Sequence, residues 1–228
     1  MIYIYLGFAC LMAILYIYVE LKKNPLTAWV AKGLASLSFV ILGVFSFAEH
    51  INDVHPIVPW ILIGLVCGLI GDLVLALRPL RPKEEDKTII VFGILFFSLG
   101  HLSYLLGLSE IPGLNVSPLA FIIGLGIAGV VVYMSYLLKF KMGKARIPSY
   151  FYAFLIFTMI AQSMIFYMQV PDATFFLLFM IGAILFGISD LILAPIYYQK
   201  QQKPIMIILN LLTYYGAQIL IAFSLFFI

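Results

Sequence analysis

Charge, cysteine and histidine are scarce in this sequence, and each shortage closes off a class of protein. Asp, Glu, Lys and Arg make up 10% of the 228 residues, against about 25% in soluble domains, while 64% are hydrophobic. That balance excludes a water-soluble globular chain. The two cysteines, Cys10 and Cys67, both sit in apolar runs with no metal spacing and no evident disulfide partner. Of the three histidines, only His101 falls inside an apolar run. A zinc hydrolase usually wants several His or Cys ligands, and one histidine beside two aspartates is an uncommon zinc set. No Gly-x-Ser-x-Gly elbow is present. The stretch GLGIAG (124–129) has the glycine spacing of a dinucleotide loop, but it lies inside an apolar run with no strand before it, so helix packing is its reading. The first segment lacks a basic leader and a small-residue cleavage site, and it reads as a retained span.

Long hydrophobic runs are what the chain has in abundance. They are about twenty residues long, the length of a spanning helix, and not the alternating ten-residue segments of a transmembrane barrel. On that ruler spans fall at 1–19, 26–48, 57–77, 88–108, 117–138, 148–169, 173–198 and 204–227. The connections are short, so the expected fold is a single all-α integral membrane domain, 1–228, a bundle of eight transmembrane helices. Twelve of the 13 Lys and Arg residues lie in alternate loops: Lys22 and Lys23, Arg78 to Lys87, Lys139 to Arg146, Lys200 and Lys203. The other loops carry Glu49, Asp53, Glu110 and Asp172 and no basic residue. The positive-inside rule then sets both termini on the non-cytoplasmic side. The expected location is a bacterial cytoplasmic membrane, and the positive charge answers anionic lipid, not nucleic acid.

GLIGDLVLAL (68–77) aligns with FGISDLILAP (186–195) and places Asp72 over Asp190, 118 residues apart. The same offset takes His101 to within a residue of Gln218. Four spans per half make the expected repeats, 1–110 and 117–228, parallel about an axis along the membrane normal.

Only Lys32, Asp72, His101 and Asp190 are ionisable within the spans, and each charge near a helix centre costs about 2.5–3.5 kcal/mol to insert. Gly64, Gly68 and Ala76 share the Asp72 face; Ala183, Gly187 and Ala194 share that of Asp190. Small residues admit close helix approach, which turns both carboxyls into the bundle. They are either a functional pair or a polar staple, with a helix cap at a break before Pro195 as one form of the second. Lys32 either snorkels to the interface or faces a carboxylate or a phosphate. Tyr214, Tyr215 and Gln218 are candidates to line a pocket, with Ser98 and Tyr104 giving the His101 face a polar character. Two function classes follow: an intramembrane enzyme, or a proton-coupled transporter of a small molecule or lipid built from parallel repeats.

The motifs GD (71–72), GHLSY (100–104), FGISDLILA (186–194) and YYGAQ (214–218), with Lys32 early in span 2, together resemble the YhhN-like membrane family over essentially the whole chain. That resemblance implies a lysoplasmalogenase: hydrolysis of the vinyl ether bond of a lysophospholipid to a fatty aldehyde and a glycerophospho head group, with no cofactor and no metal. Opening a vinyl ether needs a proton on its β-carbon and water on the resulting oxocarbenium ion. A carboxyl among apolar groups is hard to ionise, and a second carboxyl nearby makes one of the two harder still. Asp72 and Asp190 are therefore the expected catalytic pair; either can serve as the acid, and the drier, Phe186-lined surroundings favour Asp190. Lys32, His101, Tyr104, Ser189, Tyr214, Tyr215 and Gln218 are the expected substrate-binding or orienting groups, Lys32 through the lipid phosphate.

Overall fold

A computed structural model describes residues 1–22, 24–48, 55–199 and 203–228. Lys23, Glu49, His50, Asp53 and Lys200 lie outside these residues. Eight helices run as α1 (Ile2–Leu21), α2 (Pro25–Ala48), α3 (Ile57–Leu75), α4 (Asp86–Ser109), α5 (Pro118–Leu137), α6 (Arg146–Gln169), α7 (Thr174–Tyr198) and α8 (Pro204–Ser224). Their ends fall within three residues of the expected spans, and all eight are long and apolar enough to cross a membrane. This is an all-α integral membrane protein. Proline opens α2, α5 and α8 at the first helical position, where its missing N–H costs nothing.

Helix contacts define a closed ring in the order α2, α3, α4, α6, α7, α8 and back to α2. The remaining two stand outside it, α1 against α2 and α8, and α5 against α6. The outer pair shows why. Along α1 the buried positions are Ile2, Ala9, Ala13 and Tyr16; along α5 they are Ala120, Gly124, Ala128 and Ser135. One narrow stripe of mostly small residues holds each to the ring, and the rest of the surface is Leu, Ile, Val, Phe and Tyr facing lipid. Within GLGIAG, Gly124 is pressed against Thr158, whereas Gly126 and Gly129 meet nothing.

Helix α7 does not break before Pro195. It continues to Tyr198, although the missing proline N–H leaves the Leu191 carbonyl without its i+4 donor. Asp190 therefore sits mid-helix and caps nothing. Residues 86 and 204, which open α4 and α8, are 118 apart, the offset that relates Asp72 to Asp190.

Candidate functional site

A cavity of about 1460 Å³, above the roughly 300–1,000 Å³ of ordinary ligand pockets, lies within the ring and reaches Tyr16 of α1 and Ser135 of α5. Asp72 and Asp190 both line it, as do Lys32, Ser189 and Tyr214. Its wall includes Phe97 and Phe186, whose rings pack edge to face with each other and with that of Tyr214, at centroid separations of 5.3–6.2 Å. Towards one end the lining changes to Arg78, Arg81, Lys83, Lys139 and Lys141. On the side, Leu191, next in sequence to Asp190, lines the cavity while 52% exposed towards lipid.

Asp72 is 1% exposed. Its Oδ1 meets Lys32 Nζ at 3.1 Å, and its Oδ2 accepts hydrogen bonds from Ser36 Oγ and Tyr214 Oη, each at 2.6 Å. Lys32 and Ser36 reach it together because they stand one turn apart on the same face of α2. Ser36 has one proton and gives it to Asp72, so the Tyr215 hydroxyl, 3.4 Å away, is the donor in that contact. Behind Tyr214 the chain goes on: Gln218 Nε2 donates to Tyr214 Oη at 3.2 Å, and Tyr104 Oη donates to Gln218 Oε1 at 3.2 Å. Every donor in the sequence Tyr104, Gln218, Tyr214 points towards the carboxylate, and such chains polarise one another.

Two glycines make that chain fit. A Cβ at Gly64 would fall 2.2 Å from the Tyr104 ring, and one at Gly68 would fall 2.5 Å from Gln218 Nε2. The small-residue face of α3 thus admits the polar side chains of α4 and α8.

Asp190 is held differently. It is half-buried, and its Oδ2 accepts a short hydrogen bond from the Tyr152 hydroxyl of α6. Among the described residues no ion pair reaches it. Ser189, its neighbour, is committed to α8: its Oγ donates to the Asn210 carbonyl at 3.2 Å, and Asn210 Nδ2 donates to the Ser189 carbonyl and hydroxyl, each at 2.8 Å.

His101, Tyr104 and Gln218 stand behind Phe97 and Phe186, around a narrow gap between α3, α4, α7 and α8. His101 is 1% exposed. Its Nδ1 faces the Phe97 carbonyl at 3.0 Å, which fixes the proton there and leaves the buried Nε2 without a donor. Its ring lies edge to face on Phe186, with centroids 4.6 Å apart, and 5.2 Å from that of Tyr152. Among the described residues no three of His, Cys, Asp and Glu gather into a cluster.

The structure therefore gathers the expected site residues into two groups. Lys32, Asp72, Tyr104, Tyr214, Tyr215 and Gln218 form one hydrogen-bonded assembly; Asp190, on the same cavity, is bonded to Tyr152 apart from that assembly, and His101 packs behind Phe186. Lys32, expected at the lipid phosphate, is spent on Asp72. Sequence reasoning missed Ser36, Tyr152 and Asn210. Ser36 was findable at i+4 from Lys32, and Asn210 as an amide inside a span; Tyr152 is not distinguished in SYFYAF from its aromatic neighbours.

A family model described as the YhhN family matches residues 27–225. No curated protein and no solved structure matches the chain.

Proposed function

We propose, for a chain that belongs to the YhhN family, an intramembrane hydrolase that cleaves the vinyl ether bond of lysoplasmalogen-type lysophospholipids. The observation that carries this reading is the unequal provision of two carboxylates on one cavity. Asp72 has a cation and two hydroxyl donors; among the described residues Asp190 has one phenol and no cation. Pairs of acids set in such different surroundings divide acid and base roles. The activity implied by the family resemblance supports the same assignment.

Asp190 carries the proton and delivers it to the β-carbon of the vinyl ether. The double bond's electrons form the new C–H bond, and the α-carbon becomes an oxocarbenium ion beside the carboxylate just formed. Water adds to that carbon while Asp72, held in place by Lys32, Ser36 and Tyr214, takes the water's proton. The hemiacetal then breaks between its own carbon and the glycerol oxygen: Asp72 returns its proton to that departing oxygen, and the hemiacetal hydroxyl proton restores Asp190 as the carbonyl forms. Atoms and protons balance as vinyl ether plus water giving fatty aldehyde plus free glycerol hydroxyl. The alkenyl chain leaves through the Leu191 side, where the cavity meets lipid. The scheme calls on no metal and no organic cofactor.

The test is aldehyde release from an alkenyl lysophospholipid by purified protein in detergent. No aldehyde, with uptake of ligand by proteoliposomes, would establish the carrier reading instead. The basic end of the cavity is assigned to the cytoplasmic face, and both termini to the other; a reporter fused after Ile228 should be active only outside the cytoplasm.

A further inference from the structure

With Lys32 committed to Asp72, the recognition of an anionic head group must lie elsewhere, and the cavity's basic end offers a built candidate. We infer that Arg78, at the mouth of the cavity, binds the phosphodiester of the substrate lipid, as one pole of a site whose other pole is the carboxylate pair. This rests on the proposed activity for the identity of the lipid, but the binding stands on its own geometry.

Arg78 is unlike the exposed lysines around it. Its guanidinium is clamped by Asp86, with Nε to Oδ1 at 2.7 Å and an Nη to Oδ2 at 3.2 Å, and it lies over the Tyr197 ring at 4.0 Å. The side chain is 20% exposed. The Asp86 bonds leave the second Nη, with two N–H groups, unused by that pair. A guanidinium held in one orientation loses little freedom when it meets a phosphate, and its fork suits two oxygens.

Placement agrees. Arg78 opens the 3-10 turn Arg78–Leu80 just beyond the end of α3 at Leu75, six positions after Asp72. Arg78, Asp72 and Asp190 line the same cavity, so a lipid held by its phosphate at Arg78 lies in the space that holds both carboxylates. Arg81, Lys83, Lys139 and Lys141 on the same rim add attraction without fixed geometry.

The experiment measures binding of two probes that cannot turn over: a saturated alkyl-ether lysophosphatidylcholine, and the matching alkylglycerol without phosphate. Arg78→Gln should weaken the first by about tenfold or more and leave the second unchanged. Arg78→Lys should recover only part of the loss, because a point charge replaces the fork. Lys144→Gln, an exposed cation away from the cavity, should change neither, and thermal melting should show all three variants folded. Equal weakening of both probes, or of neither, overturns the inference. So does binding of glycerophosphocholine or inorganic phosphate as tight as that of the lipid, which would mark a site for a soluble anion. Arg78-dependent lipid binding by a protein that releases no aldehyde would keep this site and remove the proposed reaction.

Discussion

The carboxylate of Asp72 draws partners from α2 and α8, while among the described residues that of Asp190 is bonded to Tyr152 of α6. Yet the two occupy corresponding places in the 118-residue alignment. Under that offset Lys32 and Ser36 fall on Tyr150 and Phe154, and Tyr214 falls on Phe96. One half has the polar shell and the other has aromatic residues where that shell would be. A buried ion pair costs desolvation that its attraction barely offsets, so keeping a charged lysine in only one half serves something other than stability. The difference teaches that chemical inequality between the acids, not their likeness, is what the fold maintains.

The hardest test of that inequality is Asp190→Asn. It should cut aldehyde release by about 10²–10⁴-fold, the usual worth of a general acid, while thermal stability stays level, since an amide oxygen still accepts from Tyr152. Asp72→Asn should instead strike the fold. It strands the Lys32 ammonium in the bundle, a loss of about 3–5 kcal/mol, and Lys32→Met in the same chain should restore most of the melting temperature but not the turnover. If the two Asn variants melt alike, the comparison fails. Gln218→Leu removes the link between Tyr104 and Tyr214, leaving a buried hydroxyl unsatisfied at about 1–3 kcal/mol, with turnover following through the looser Asp72. The smallest change is expected from Tyr152→Phe, about 0.5–1.5 kcal/mol in stability; because it frees Asp190, a kcat that falls while KM holds would separate positioning from packing. An unchanged kcat there would detach Tyr152 from the mechanism.

The eight spans were legible because lipid imposes one rule along the whole chain: about twenty apolar residues per crossing. The site was legible wherever a polar group violated that rule, which is how Lys32, Asp72, His101 and Asp190 stand out. Pairing was not legible. The Lys32, Ser36 and Gly43 face of α2 can be read as turned inward, but whether Lys32 there meets a carboxylate or a phosphate depends on which helix packs opposite, and that is set by tertiary contact. Tyr152 stayed hidden for a related reason: a tyrosine serves equally well as packing or as a donor, and only the position of α6 against α7 decides. Ser189 shows the reverse, a polar residue beside the acid that tertiary contact assigns to Asn210.

The salt bridge also has a meaning in time. Asp72 stands in the last turn of α3, where an unpaired charge costs less than at a helix centre but still opposes insertion, and Tyr214 follows it by 142 residues. At about 5–20 residues per second, roughly 7–28 s of translation separate the acid from that hydroxyl. Lys32 and Ser36 precede Asp72 in the chain, and Tyr152 precedes Asp190 by 38 residues. Each acid thus leaves the ribosome after a partner that can receive it. The bridge can therefore form once α3 has been made, long before α8 closes the ring.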